Sequence, residues 1–339
     1  MKERIKKLQK KISVIASGTV AGKKESEGPL GGCFDYVDRS DSFGKGTWEQ
    51  SEAESQFMAL NFALNKGALA PVDLDVLLAG DLINQCTSSA YGLLDVDVPF
   101  LGIYGACSTS AEGMLLAALL LESGHFKRAA AVSSSHFCSA ERQFRTPLEY
   151  GGQRAPTAQW TVTGAGAFIL EREPLGNAIV DVTEVLPGKT QNGGIDDPAN
   201  MGAAMAPAAL DTLLCYFKES GKRPGDFDLI LTGDLGYEGS EILKDLSKKE
   251  GYNIDDVHND CGLMIYDRKK QDVHAGGSGC GCAATVLGSK VLGQIAEGKY
   301  QNVLFMATGA LMSVDSLKQG LTIPAIAHLL HLERKEGEK

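Results

Sequence analysis

The chain has 339 residues, and 43 acidic against 33 basic side chains give it a net charge of −10, which excludes a non-specific nucleic-acid binder built on a basic face. Apolar residues make up 43% and charged residues 22%, ordinary values for a folded chain of two domains or of one domain built from two similar halves. Its 40 glycines follow no three-residue period, so a collagen-like rod is excluded and many tight turns are implied.

The first eleven residues, MKERIKKLQKK, carry six Lys/Arg against one Glu. They lack the apolar stretch and small-residue cleavage site of a signal peptide. They read as a solvated, frayed tail, with contact to anionic lipid as the second reading. No run approaches the ~18 apolar residues of a membrane span, and Met114 to Leu121 is far shorter. A cytoplasmic location is expected.

Short apolar runs bounded by turn residues predict strands at Val76 to Gly80, Phe100 to Tyr104, Arg128 to Ser133, Leu229 to Thr232 and Asn302 to Ala307. Amphipathic stretches closed by Gly predict helices at Cys107 to Ser123, Ala206 to Ser220, Ser240 to Glu250 and Gly281 to Ala296. This alternation implies layered α/β structure around buried sheets.

The order of parts occurs twice. Asp75-Val-Leu-Leu-Ala-Gly-Asp-Leu82 matches Asp228-Leu-Ile-Leu-Thr-Gly-Asp-Leu235, and the stretch Gly105 to Ser135 matches Gly279 to Ala310. In each, an apolar run ends in Gly-Asp, then a small-residue turn opens a helix that a Gly closes before the next strand. The second half is longer between the two matches, which places an insertion near Lys248 to Lys270. The halves are drawn at residues 1–175 and 176–339.

Eight cysteines in this context form no disulfide framework. Cys280 and Cys282 stand too close together, without a second ligand pair, to form a zinc site. Cys33, Cys138 and Cys215 read as buried free thiols. No metal or cofactor is expected.

Tyr104-Gly-Ala-Cys-Ser-Thr-Ser110 resembles the nucleophile turn of thiolases and ketoacyl synthases. Thr163-Gly-Ala-Gly-Ala-Phe-Ile-Leu-Glu171 is similar to the Gly-rich strand ending their first half, and Gly276-Gly-Ser-Gly-Cys-Gly-Cys-Ala-Ala284 to the turn before their second central helix. The resemblance implies a five-layer αβαβα sandwich of two pseudo-symmetric halves, usually a homodimer. Further segments resemble the stage V sporulation protein AD family: Glu27 to Gly31, Ala79 to Leu82, Ala140 to Arg145, Glu149 to Gly152, Met201 to Pro207, His258 to Tyr266 and Ala275 to Cys280. That resemblance implies a thiolase-like protein of endospore formers. It would bind dipicolinic acid (pyridine-2,6-dicarboxylate), with or without calcium, for uptake into the developing spore. It would sit at the periphery of the spore inner membrane beside membrane proteins of the same operon.

Cys107 follows a strand and opens a helix, whose free N–H groups and dipole favour thiolate. In a condensing enzyme it takes the acyl group, and Claisen chemistry then needs a base and oxyanion donors. The family places them on two turns, where this chain has Thr232-Gly233-Asp234 and Gly276-Gly277-Ser278-Gly279. The thiolase C-terminal Cys would fall near Ala307 to Ala310, where none stands. Asp234 beside Cys107 would disfavour thiolate. These departures favour binding without turnover over the alternative, an acyltransferase using Cys107.

Ligand-lining candidates are Cys107, His136, Arg142, Arg145, Asp234, His258, Asn259, Gly277 and Ser278. His136 ends the strand that opens toward the cavity in this fold, or serves as a structural hydrogen-bonding group. His258 and Asn259 stand on a cavity loop or a plain turn. A dianion needs cations, and the Arg fork matches a carboxylate. Arg142 and Arg145 are the preferred anchors, with Arg154 next. The alternative for them is a surface loop with a Glu141–Arg145 pair. Phe144, Tyr150 or Phe137 would stack on the pyridine ring.

Overall fold

The computed structural model describes residues 3–144, 154–176 and 178–335. The main strands are β1 (Lys6–Ala21), β2 (Val76–Gly80), β3 (Phe100–Gly102), β4 (Arg128–Ser135) and β5 (Gly164–Arg172), then β6 (Val180–Leu186), β7 (Leu229–Thr232), β8 (His258–Asp260), β9 (Asn302–Ala310) and β10 (Pro324–Arg334). Their order along the sheet is β8-β7-β9-β10-β6-β1-β5-β4-β2-β3. Each set of five has the same internal order: third, second, fourth, fifth, first. In each, the fifth strand runs antiparallel to both neighbours. The two sets join where β1 and β6 pair antiparallel, with Lys6 opposite Val185 and Ser13 opposite Asp181.

Side chains on a strand alternate between faces, and here both faces are apolar. On β4, Ala129 and Ala131 join one core cluster while Ala130 and Val132 join another; on β9, Val303 and Phe305 divide from Leu304 and Met306 in the same way. The shared inner core holds α2 (Thr109–Glu122) and a second central helix between the two sheets. Two outer cores lie against α1 (Trp48–Lys66) on the first sheet and α4 (Met201–Ser220) on the second. The layers are therefore helix, sheet, two central helices, sheet, helix. Strands buried on both faces need near-continuous apolar runs, and those runs made the strands visible in the sequence.

The remaining helices are α3 (Phe137–Phe144), α5 (Gly236–Lys249) and the second central helix, α6 (Cys280–Val286), which passes through a π turn at Leu287–Val291 into α7 (Leu292–Ala296). Helix α4 begins earlier than the sequence suggested: Asn200 caps it, accepting from Ala203 N at 3.4 Å, and Pro207 lies inside it. Helix α5 likewise begins at Gly236 rather than Ser240.

The lysine-rich start is not a frayed tail. Residues from Lys6 onward form β1, and Lys7 and Lys11 approach Glu184 and Asp181 of the neighbouring strand at 3.8 and 3.7 Å. From Ile12 the strand is buried. The extra chain of the second half lies mainly in residues 261–276, because His258 pairs with Ile230 much as Phe100 pairs with Leu77. All eight cysteines are free, but Cys33, Cys138 and Cys215 are half-buried rather than buried. Among the described residues no helix is long and apolar enough to cross a membrane.

The second central helix packs directly on the first sheet at Gly281. A Cβ there would lie 2.4 Å from Gly164 O and 2.7 Å from Ser135 N. Both are backbone atoms, so they cannot swing aside as a side chain would. G281A is expected to lower stability by roughly 1–3 kcal/mol, the range for overpacking, measured as a fall in the urea midpoint at unchanged m-value.

Candidate functional site

A cavity of about 340 Å³ opens where the two halves face each other at the start of α2. Its wall is largely apolar, from Leu82, Ala106, Ala140, Phe144, Met201 and Met312. Its polar groups include Cys107, Glu141, Arg154, Gln159 and Ser278.

Cys107 sits on a tight turn. Ala106 before it holds a positive φ of 51°, a sparsely populated conformation for a residue with a Cβ. The turn is backed by β9: a Cβ at Gly309 would stand 2.2 Å from Gly105 O. Only a glycine lets the strand come that close.

The Cys107 sulfur lies 3.8 Å from Ser278 Oγ. Behind Ser278 lies Asp234, fully buried. Its carboxylate accepts from Ser278 Oγ at 3.0 Å, Gly279 N at 2.8 Å and Thr308 Oγ1 at 3.0 Å. Burial raises the Asp234 carboxyl above its usual range, although these donors oppose the shift. Burial and the Asp234 carboxylate push the Cys107 thiol well above its ordinary value. The helix start was expected to favour thiolate. Here desolvation and a neighbouring negative charge win.

Asp260 stands one layer further in. Its carboxylate accepts from Thr232 Oγ1 at 2.6 Å, Leu235 N at 2.8 Å and Gly236 N at 3.0 Å, and burial raises it to about 7. The two acids brace the turn after β7. The matching acid of the first half, Asp81, is buried too and accepts from Ile83 N and Ser89 N at 3.0 and 2.8 Å. The repeated Gly-Asp thus carries a buried acid in both halves, which holds its own turn in the first and the Gly-rich turn and β9 in the second.

The sequence candidates separate into two groups. Cys107 and Ser278 line the cavity, and Asp234 supports Ser278 from behind. Gly277 holds the frame: its carbonyl accepts from Gln159 Nε2 at 2.8 Å, and Gly277–Ser278 pairs in parallel with Trp160–Thr161. His136 lies elsewhere, buried, with Nε2 on Asp41 O at 2.8 Å and its pKa lowered by burial. Arg142 forms an ion pair with Glu49 in a separate crevice. His258 bonds Thr232 Oγ1 at 3.0 Å, and burial lowers its pKa, the Lys244 ammonium adding to the effect. Asn259 is exposed on β8. Arg145 and Tyr150 lie outside the described residues.

Of the proposed ring-stacking residues, Phe144 lines the cavity. Phe137 instead stacks on Trp160, with centroids 3.9 Å apart. Arg154 is the cation among the described lining residues. It pairs with Glu141 at 2.9 Å, and its guanidinium lies 5.0 Å from the Trp160 ring. No histidine is among the described residues that line the cavity.

Sequence reasoning did not single out Gln159. It is 4% exposed, and it donates to Asp234 O at 2.6 Å and to Gly277 O at 2.8 Å. Both partners are far away in sequence, so no local pattern marked it.

The family model of stage V sporulation protein AD matches residues 2–333. The chain belongs to the stage V sporulation protein AD family. It is 46% identical to the stage V sporulation protein AD of Bacillus subtilis (strain 168) over 326 residues, which is 96% of this chain and 95% of that relative. Solved structures share the fold at low identity. The 3-oxoacyl-[acyl-carrier-protein] synthase III of Aquifex aeolicus VF5 aligns with a TM-score of 0.57 at 15% identity, covering 95% of this chain and 99% of that one. Human mitochondrial 3-ketoacyl-CoA thiolase in complex with CoA aligns with a TM-score of 0.61 at 11% identity, covering 97% and 99%. The architecture is therefore that of the thiolase-like condensing enzymes.

The charge around Cys107 gives a chemical prediction. A thiol held above a pKa of about 9 is less than about 1% thiolate at neutral pH. Iodoacetamide should leave Cys107 unmodified at neutral pH and label it only as the solution becomes strongly alkaline, read by peptide mass spectrometry against half-buried Cys33. Rapid labelling at neutral pH would contradict the assignment.

Proposed function

We propose that this chain is a non-catalytic, thiolase-fold protein that binds dipicolinic acid in the cavity at Cys107, alone or as its calcium chelate, for uptake into the developing spore. In this reading it works at the periphery of the spore inner membrane, beside membrane proteins of the same operon. The family supplies the sporulation setting. The observation that carries the binding reading is the lining of the cavity: an apolar wall with Phe144, and Arg154 placed to meet a carboxylate. Apolar concave sites with a few fixed polar groups are how proteins hold small ligands. The cavity lacks a lining histidine among the described residues, and the cysteine faces a buried carboxylate rather than a base that would activate it. Both features speak against the acyltransferase alternative.

Calorimetric titration with dipicolinate tests this, with the pyridine-3,5 isomer and benzoate as controls. Saturable binding selective for the 2,6 isomer is expected. R154L should weaken it at least ~10-fold, since a charge-assisted hydrogen bond contributes about 1.5–3 kcal/mol. R142L, in the other crevice, should leave it unchanged. Absence of binding by the wild type, or a covalent acyl adduct on Cys107 after incubation with acyl-CoA, would overturn the reading.

For the second copy we propose a docking surface at β3. This edge strand exposes Phe100 and Leu101, and Tyr91, Leu94 and Tyr104 nearby are exposed as well. The opposite edge, β8, is polar His258-Asn-Asp260. Unprotected apolar edges pair with another chain, and antiparallel self-pairing about a two-fold axis closes the assembly. Light scattering should show a dimer that L101K converts to monomer, and a wild-type monomer at micromolar concentration would remove the interface.

A further inference from the structure

Gln159 has one acceptor oxygen and two N–H donors. Both donors are used on main-chain carbonyls, Asp234 O and Gly277 O. These two contacts fix the orientation of the amide, because a flipped group would set its oxygen against two carbonyl oxygens. The oxygen, Oε1, is buried without a hydrogen-bond partner. Gln159 itself is 4% exposed and lines the cavity. An orphaned buried acceptor is costly to leave unmade, so its natural complement is a donor on the bound molecule.

The charges around it point the same way. The Arg154 guanidinium is matched by Glu141, and Arg154 Nε is also buried without a partner. Cys107 is held as the neutral thiol, Tyr104 is held as the phenol, and Asp234 and Asp260 lie behind the turn that Gln159 contacts. A free dianion would bring uncompensated negative charge into a mostly apolar wall. A ligand that offers Arg154 one acceptor and Gln159 one donor avoids this.

We propose that Gln159 is a specificity-determining residue whose Oε1 accepts a hydrogen bond from the ligand, so that the cavity takes its aromatic dicarboxylate in a charge-reduced, donor-bearing form. This rests on the binding reading above. The donor is either a proton on the ligand or a water on a chelated cation.

The test compares the monoamide of dipicolinic acid, which carries a permanent N–H and one carboxylate, with the monomethyl ester, which has the same charge and no donor. The wild type should bind the amide at least ~10-fold more tightly, and Q159M should narrow that gap. Equal affinity of amide and ester for the wild type overturns the Gln159 assignment, and it does so whether or not Q159M folds. Dipicolinate itself separates the two donor sources. Tightening as pH falls in EDTA identifies the proton, tightening on adding calcium at alkaline pH identifies the cation-bound water, and one affinity under all three conditions overturns the proposal. If neither these compounds nor dipicolinate binds, the binding reading falls with it. Dipicolinate binding without discrimination removes this inference alone.

Discussion

One buried carboxyl group ties the cavity together. Asp234 lies in the turn after the apolar strand β7, and its side chain reaches the Gly-rich turn through Ser278 and Gly279 and strand β9 through Thr308. Its main-chain carbonyl receives Gln159. Four separate stretches of chain therefore take their relative positions from a single residue. An unpaired charge at this depth would be prohibitively expensive, so the arrangement persists only because every oxygen of the group has a donor.

The same residue sets the chemistry. A negative charge beside Cys107 resists formation of a second one on sulfur, and burial acts in the same direction. The turn at Cys107 is tight, with Ala106 in a strained conformation, while burial and the neighbouring carboxylate oppose ionisation of the thiol.

Much of the architecture was legible because strands buried on both faces must be apolar. Four of the five short strands were visible for that reason, whereas β3 is an exposed edge strand whose apolar residues are not buried. Helix α1 was not, because its inward face carries Ser51, Glu52, Ser55 and Gln56. The Ser51 and Ser55 hydroxyls donate to main-chain carbonyls of their own helix, and the other two meet the serines of β4 and α3: Gln56 Nε2 donates to Ser134 Oγ at 2.7 Å and Glu52 accepts from Ser139 Oγ at 2.6 Å. A buried polar face erases the apolar period on which helix recognition depends. Strand β1 was hidden by its lysines, whose charged ends reach water and the acids of β6 while the backbone pairs. In the site, Cys107 was legible from its turn and Ser278 from resemblance. Gln159 was not, since its role comes from two carbonyls brought to it only by the folded chain.

The placement of the terminal strands bears on the order of folding. Strand β1, made before the other nine, lies at the seam and pairs with both β5 and β6. Strand β10, made after the other nine, lies between β9 and β6 rather than at an edge. During synthesis the second sheet therefore has a gap in its middle until β10 leaves the ribosome. Until then β6 and β9 each present an unpaired side, the kind of exposed strand that invites mispairing. Closing the molecule is a late event of long sequence separation, which predisposes this chain to slow folding.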